Sequence, residues 1–198
     1  MILIIQNGFM NTFIIKYLDE DYQIIKSYEM DVSSINLNNY SIIIILGGHQ
    51  HVKNLDCSLQ KVIILIKECI DQNKPILGIC LGCQAIAYVL GCEIKDSGKL
   101  NIGFDTEIFG YKNIFRCHHD YVVPNGKIDI LDYFDSMLYA FRYKKCIGIQ
   151  CHPDIPPNSV LEYQGTFLSK FELNKDFDEI DKNNKAMIDY ILKELRKK

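Results

Sequence analysis

Short, unbroken runs of aliphatic residues constrain the fold of this 198-residue chain more than any other feature. Residues Ile42 to Leu46 are all apolar and lead into Gly47-Gly48, and Ile76 to Ile79 form a second run apart from one glycine. Residues 1–5 and Tyr22 to Tyr28 are further candidates. A strand buried on both faces needs continuous apolar residues instead of alternation. The runs therefore predict a mainly parallel sheet.

Segments with helical spacing separate these runs. The apolar residues between Leu59 and Ile70 lie on one helical face, and Asn73 and Pro75 end that helix. The segment from Ala85 to Leu90 predicts a second helix, which stops before a glycine. Alternation of strands and helices predicts an α/β fold with helices on both faces of the sheet. The other predicted helical segments are Phe9 to Leu18 and Met187 to Leu195.

The pattern changes after Gly91, where short strand-like segments follow one another and predict an added antiparallel or mixed portion of the sheet. The stretch from Ile155 to Asn184 has no clear period. No linker or internal repeat divides the sequence, so we expect one domain over residues 1–198. The strand-like segments are Ile102 to Phe109, Asn113 to Cys117, Met137 to Arg142 and Cys146 to Cys151.

Composition excludes several classes of protein. With 48% hydrophobic and 24% charged residues, the chain has enough apolar side chains for a core. Its net charge of -3 gives no basic surface, so we expect no nucleic-acid partner. No apolar run is long enough to span a bilayer, and the N-terminal residues lack a secretory signal. We therefore expect no membrane partner, a cytoplasmic location and reduced thiols for the eight cysteines.

One of these cysteines lies where a predicted strand passes into a helix. In Gly78-Ile79-Cys80-Leu81-Gly82, glycines flank Cys80 on both sides, as in a nucleophile elbow with cysteine in place of serine. Side chains at positions 78 and 82 would collide with the adjoining strand and helix. The helix N-terminus behind Cys80 favours the thiolate form. The pattern predicts a nucleophile on a sharp turn.

Three other interpretations of Cys80 remain open at this point. It is a core cysteine beside unrelated glycines, or the first thiol of a redox-active C-x-x-C motif that ends at Cys83. The third is a zinc site built from Cys80, Cys83 and later cysteines or histidines. The sequence has no second C-x-x-C at regular spacing. The flanking glycines and a downstream histidine favour the nucleophile, and we expect no metal and no cofactor.

Backbone N–H groups near Cys80 are candidates for stabilising an oxyanion. The N–H of Leu81 is one, since it belongs to the first turn of the helix. The second donor must come from another strand end, and Gly47-Gly48 allows backbone amides to approach a substrate closely. Two such donors stabilise the transition state of acyl transfer.

His152 is the candidate base for the thiol. It follows a predicted strand, and Pro153 fixes the backbone before Asp154. The carboxylate can then accept a hydrogen bond from one imidazole nitrogen while the other faces the thiol. A second constellation, His118-His119-Asp120, either shapes a substrate pocket or ends a strand. His49 and His51 are expected in a surface loop.

These residues together resemble the class I glutamine amidotransferases of the triad type, and most closely the glutaminase domain of GMP synthetases. The resemblance runs from residue 1 to about residue 154, and its segments come in the family's order. The matching segments are Leu46-Gly47-Gly48, Pro75 to Gln84, Gly103-Phe104, His118 to Val122 and Gly148 to Asp154.

The resemblance implies a flavodoxin-like architecture and a mechanism. Cys80 attacks the side-chain amide of glutamine, and backbone N–H groups of Gly48 and Leu81 hold the oxyanion. His152, oriented by Asp154, protonates the departing ammonia and then activates water to hydrolyse the glutamyl thioester. The resemblance further places Gln84 in the glutamine pocket and Gly47 among the substrate-binding residues. His118 and Asp120 would bind substrate near that pocket or lie near the face toward a synthetase.

The sequence departs from the family pattern at three places. Asp154 stands where the family usually has glutamate, so either the loop moves closer or the hydrogen bond lengthens. We expect weakened but not lost activity, and equal or greater activity for Asp154→Glu. His49 stands where proline usually follows the glycine pair, and the stretch from Ile155 to Asn184 is longer than the family's link to the last helix.

The sequence carries no synthetase domain, which leaves three functions open. The first is a glutaminase that supplies ammonia to a separate synthetase subunit. The second is a stand-alone hydrolase of γ-glutamyl peptides or conjugates. The third, raised by Asp154 and His49, is a non-catalytic regulatory protein on the same scaffold. We expect the ligand to be glutamine or another γ-glutamyl compound.

Overall fold

The computed structural model describes residues 1–8, 12–162 and 175–197, and its described part contains a nine-stranded mixed sheet with helices. The strands are β1 (Ile2–Gln6), β2 (Tyr22–Lys26), β3 (Ile42–Ile45), β4 (Ile76–Ile79), β5 (Glu93–Ile108), β6 (Tyr111–Val123), β7 (Asp129–Phe134), β8 (Met137–Tyr143) and β9 (Cys146–Ile149). The α-helices are α1 (Cys57–Asp71), α2 (Leu81–Val89), α3 (Pro157–Glu162) and α4 (Phe177–Leu195), and 3-10 turns cover Phe13–Tyr17, Val32–Ser34 and Leu37–Asn39.

The sheet has a parallel half and an antiparallel half. Its order is β2-β1-β3-β4-β9-β8-β6-β5, and β7 pairs with β8 outside this path. Strands β2, β1, β3, β4 and β9 run parallel to one another. The pairings of β8 with β9, β6 and β7, and of β5 with β6, are antiparallel. The predicted α/β class, with its added antiparallel portion, is confirmed.

Alternate residues of the parallel strands point to two separate cores. In β3, Ile43 and Ile45 pack with α1 and α2 on one face of the sheet. Ile42 and Ile44 pack on the other face with α4 and the 3-10 turn at Phe13–Tyr17. All four isoleucines are fully buried, which explains why the run is aliphatic without alternation. Helices therefore cover both faces, as predicted.

The predicted elements match the parallel half most closely. Strand β4 has the predicted bounds, and α1 extends the predicted helix by two residues before Leu59 and one after Ile70. Strands β5 and β6 are longer than predicted, and β7 was missed because its Ile130 and Tyr133 are exposed on an edge strand. The helical segment predicted from Phe9 is a 3-10 turn from Phe13, and Phe9 itself lies outside the described residues.

The C-terminal helix begins earlier than predicted. Helix α4 starts at Phe177, ten residues before the predicted Met187, and its N-cap Asp176 accepts hydrogen bonds from the next turn. The unassigned stretch from Ile155 to Asn184 thus holds α3 and the first half of α4, and its residues 163–174 lie outside the described part. The prediction of one domain over the whole chain stays a prediction. Among the described helices, none is both long and apolar enough to cross a membrane.

Candidate active site

The predicted nucleophile and base meet at the carboxyl edge of the parallel half. Strands β3, β4 and β9 are neighbours, and their ends lead into the glycine pair, Cys80 and His152 respectively. The backbone N–H of Cys80 donates to the Ile149 carbonyl over 2.9 Å, which fixes the end of β4 against β9. A Cβ built on Gly47 would lie 2.9 Å from His152 Cε1 and 3.5 Å from Cys80 Cβ. Parallel α/β sheets place their ligand sites at this edge.

The turn at Cys80 is strained, and glycines make it possible. Cys80 has φ 51° and ψ -105°, a conformation that costs a non-glycine residue about 1–3 kcal/mol. A Cβ at Gly82 would lie 2.1 Å from the Ile45 carbonyl oxygen, and one at Gly78 would lie 2.5 Å from the Gly82 oxygen. Both contacts are with backbone, which cannot move aside. A side chain at either position would therefore collide with its neighbours, as the sequence predicts, and glycine avoids this.

His152 is placed between a thiol and a carboxylate. Its Nδ1 lies 3.1 Å from Asp154 Oδ1, and both side chains are buried. Burial works to lower the pKa of His152. The negative charge of Cys80, then that of Asp154, and hydrogen bonds to both outweigh it, so the pKa lies well above its usual value. This arrangement favours the imidazolium form of His152.

The glycine pair lies against the start of α2 and is braced from β1. A Cβ on Gly48 would lie 2.9 Å from Leu81 Cδ2, so the two residues that carry the predicted oxyanion donors lie close together. Asn7, which follows β1, donates through Nδ2 to the Leu46 carbonyl over 2.9 Å. Gln50 donates back to the Asn7 carbonyl over 2.9 Å. Asn7 and Gln50 were missed in the sequence, because nothing local distinguishes them from other loop residues.

Strand β6 forms the wall on the other side of the thiol. The Cys80 Sγ lies 3.8 Å from the Cys117 carbonyl oxygen, which accepts its hydrogen bond. The Phe115 carbonyl accepts from the backbone N–H of His152 over 2.7 Å, so the loop after β9 is held by the same strand. Cys80 is therefore enclosed by the glycine loop and by β6, and its side chain is only 6% exposed.

His118 on β6 is a buried, neutral imidazole. Its Nδ1 lies 3.0 Å from the Asp120 carbonyl, which only accepts, so Nδ1 carries the proton. Its Nε2 accepts from the Tyr139 hydroxyl over 2.7 Å, and Arg116 hydrogen-bonds to the same hydroxyl. Burial lowers the pKa of His118 to about 4. No local sequence pattern indicates the contact with Tyr139 on β8.

Gln84 on α2 holds β6 through the backbone of Asp120. The buried Gln84 donates through Nε2 to the Asp120 carbonyl over 3.0 Å, with Gln150 Oε1 3.3 Å away. The Asp120 carboxylate accepts from His51 Nδ1 at 2.8 Å. His51 is exposed, as expected of a surface loop, but this contact ties the glycine loop to β6 and was not foreseen.

The eight cysteines differ in how deeply they are buried. All eight cysteines are free thiols, of which Cys57 is exposed, Cys117 is partly exposed and the others are buried. Cys83 is fully enclosed, and burial raises the pKa of its thiol well above the usual value. Within residues 1–8, 12–162 and 175–197, no three histidine, cysteine or acidic side chains cluster as a metal site would need. The burial of Cys83 does not favour the C-x-x-C interpretation.

Known proteins are similar to this chain in sequence and in fold. The sequence profile of the class I glutamine amidotransferases matches residues 4–160. A protein of Acanthamoeba polyphaga mimivirus, named as glutamine amidotransferase-like, is 51% identical over 199 residues, which cover 99% of this chain and 97% of that protein. The glutamine-hydrolysing GMP synthase of Acetivibrio thermocellus is 32% identical over 143 residues, or 65% of this chain and 27% of that longer protein.

The fold is also that of a solved structure. The crystal structure of a glutamine amidotransferase from Methylobacillus flagellatus superposes with a TM-score of 0.80 at 17% identity, over 100% of this chain and 96% of that one. At such low identity, the superposition shows a common fold alone. The family is shown by the sequence profile, which covers most of the chain. The chain belongs to the class I glutamine amidotransferase family.

Proposed function

We propose that the protein hydrolyses the side-chain amide of glutamine to glutamate and ammonia, with Cys80 as the nucleophile. The observation that supports this most is the line of Cys80, His152 and Asp154 at adjoining strand ends, with the imidazole 3.1 Å from the carboxylate. A nucleophile, a base and an orienting acceptor in this order are what acyl transfer needs. The aspartate is within hydrogen-bond range, which argues against a non-catalytic scaffold.

The proposed reaction has two halves. The Cys80 thiolate attacks the amide carbon, and the N–H groups of Gly48 and Leu81 stabilise the oxyanion. The imidazolium of His152 gives its proton to the departing nitrogen, so that the C–N bond breaks and a glutamyl thioester remains. His152 then takes a proton from water, which attacks the thioester and releases glutamate and the thiolate. Asp154 holds the imidazole through Nδ1 in both halves.

The pocket for glutamine would lie between the glycine loop and β6. Gly47 leaves room beside Cys80 and His152, since a side chain there would contact both. The side chains of Gln84 and His118 are buried and bonded to the Asp120 carbonyl. We infer that they, with Asp120, fix the shape of the β6 wall and recognise glutamine through that wall.

An assay of glutamate and ammonia release from glutamine tests the proposal. We expect turnover by the wild type, none by Cys80→Ala, and unchanged turnover by Cys57→Ala, whose thiol is exposed. A glutamine-like electrophile should label Cys80 covalently. The absence of both turnover and labelling in the wild type would overturn the proposal.

We further propose that the ammonia passes to a separate synthetase subunit in the cytoplasm. The GMP synthase relative is much longer than the part this chain matches, whereas the mimivirus relative matches almost end to end. A glutaminase releases ammonia that a synthetase site can consume. Eight free thiols are typical of a reducing compartment. Co-purification with a synthetase, and faster glutamine turnover in its presence, would test the partnership.

A second candidate is a hydrolase of γ-glutamyl peptides or conjugates. The observation that favours it is the end-to-end match with the mimivirus relative, whose name is glutamine amidotransferase-like and includes no ammonia acceptor. The same Cys80 thioester chemistry would apply, with an amine instead of ammonia as the leaving group. A panel of γ-glutamyl amides separates the two functions, because a glutaminase cleaves only glutamine efficiently.

A further inference from the structure

The loop that carries Asp154 is held from outside by helix α4. The Asn184 Nδ2 donates to the carbonyl of Ile155, the residue after Asp154, over 3.1 Å. The Asn184 side chain is fully buried. It lies 29 residues beyond the carbonyl that it holds, past residue 160, where the family profile match ends.

Asn184 occupies a core-facing position that an apolar residue could fill. Its neighbours on the same face of α4, Ile180, Met187 and Ile188, are fully buried hydrophobic residues. Burying an amide costs free energy unless its polar atoms are hydrogen-bonded. Its Oδ1 has no hydrogen-bond partner among the described residues. The favourable role of the side chain therefore lies in its N–H groups.

The orientation of the amide is fixed by a tyrosine. The Tyr17 hydroxyl donates to Asp181 over 2.7 Å and so accepts from Asn184 Nδ2, which lies 3.4 Å away. With its nitrogen between this oxygen and the Ile155 carbonyl, the amide faces two acceptors. A flipped amide would place oxygen against the Ile155 carbonyl. The donor to the catalytic loop is thus set by the packing of α4 on the 3-10 turn at Phe13–Tyr17.

This contact matters because aspartate is one methylene shorter than glutamate. The distance of 3.1 Å between His152 Nδ1 and Asp154 Oδ1 is near the long end of the range for N–H···O hydrogen bonds. A small retreat of the loop would break that bond, whereas a glutamate could still span the gap. The loop must therefore be held close to the imidazole.

We propose that Asn184 is a positioning residue, which anchors the Ile155 carbonyl so that the short carboxylate of Asp154 reaches His152. This inference rests on the proposed glutamine hydrolysis. It predicts a dependence between two positions: Asp154 needs Asn184, and a glutamate at position 154 does not.

A double-mutant cycle in the full chain tests the proposal, with Asn184→Ala, Asp154→Glu, the double variant and Asn183→Ala. We expect Asn184→Ala to lower kcat by about tenfold with KM changed less than about twofold, since substrate binding is left intact. Asp154→Glu should lower activity alone but raise it in the Asn184→Ala background. Asn183 is the matched control, because it is the adjacent residue and its side chain bonds to the Lys112 carbonyl at the surface.

A second readout does not depend on turnover. The His152 imidazole, followed by NMR in each variant, should titrate at lower pH in Asn184→Ala than in the wild type, because it loses contact with the carboxylate. If the wild type does not hydrolyse glutamine, the proposed function fails and this titration still decides the inference. Asn184→Leu, which keeps the core filled without a donor, carries the same comparison if the alanine variant does not fold.

Three results would overturn the inference. One is that Asn184→Ala and Asn184→Leu both keep the kcat of the wild type and the pKa of its His152 imidazole. Another is an equal loss in Asn183→Ala. The third is a double variant no more active than Asn184→Ala, because a merely structural loss of α4 packing would not be rescued by a longer carboxylate.

Discussion

Asp154 shows how one side chain is fitted to its loop. Its carboxylate already lies 3.1 Å from His152 and is almost fully buried. The sequence alone predicts neutral or improved activity for Asp154→Glu, but the hydrogen bond is already made at 3.1 Å, so a side chain longer by one methylene has to displace the loop or the imidazole. We now expect kcat/KM for glutamine to fall about threefold to tenfold. Steady-state assays at one pH check this, and an increase in kcat/KM would contradict it.

Protonation of the buried His118 opposes folding. Its pKa is about 4 in the folded protein, against a usual value of 6.5, with burial as the main cause. Between these values the unfolded chain binds more protons, so stability falls as the pH drops from about 6.5 to about 4. That difference corresponds to about 3 kcal/mol. We expect His118→Gln to lose this part of the pH dependence.

Urea unfolding at pH 7.5 and at pH 4.5 measures the effect. The matched control is His119→Gln, since His119 is adjacent and exposed. It should keep the wild-type dependence. A His118→Gln variant that still loses about 3 kcal/mol between these pH values would show that other groups are responsible.

Some of the site residues could be found in the sequence and others could not. Cys80, His152 and the glycine pair follow aliphatic runs, so local pattern alone places them at one edge of a parallel sheet. The contact of His51 with Asp120 spans 69 residues along the chain and joins a loop to an antiparallel strand. No local pattern encodes such a pairing, because it depends on how β6 lies beside the parallel half.

At the scale of elements, the join between β4 and α2 is the least tolerant of change. The Gly82→Ala substitution would place Cβ 2.1 Å from the backbone oxygen of Ile45, so the helix must move away from β3. We expect a loss of more than about 3 kcal/mol in the free energy of unfolding. Activity should also fall, because the same helix positions Cys80.

Gly98→Ala separates steric overlap from backbone strain. Gly98 has φ +74° and no atom within 4 Å of a built Cβ, so its substitution costs only the left-handed conformation, about 1 kcal/mol. Chemical denaturation of both variants makes the comparison. Equal losses at Gly82 and Gly98 would mean that α2 has freedom to shift.

Helix α4 explains why one element was hard to predict. The spacing of Ile180, Asn184 and Met187 is that of a buried helical face, but the asparagine interrupts its apolar period. The first half of the helix therefore reads as polar. The same asparagine that obscures the helical pattern in the sequence provides the donor to the Ile155 carbonyl. Prediction from local pattern fails where a buried polar residue has a task outside packing.

At the scale of the whole molecule, two cores share one sheet. Ile191 of α4 is fully buried against the face formed by Ile42 and Ile44. We expect Ile191→Ala to lower the free energy of unfolding by about 2–5 kcal/mol, because a cavity remains in a packed core. Lys193→Ala, on the exposed side of α4, should change it by less than about 0.5 kcal/mol. Equal denaturation midpoints would contradict the packing described.

The eight thiols differ in burial, so the rates at which they react with a reagent report how readily different parts of the molecule open. A thiol reagent should modify the exposed Cys57 at once, whereas Cys80 reacts only when the glycine loop and β6 separate. Cys83 and Cys146, inside the core, wait for larger unfolding events. Mass spectrometry that follows the order of modification would therefore compare the rate at which the catalytic cleft opens with the rate of global unfolding.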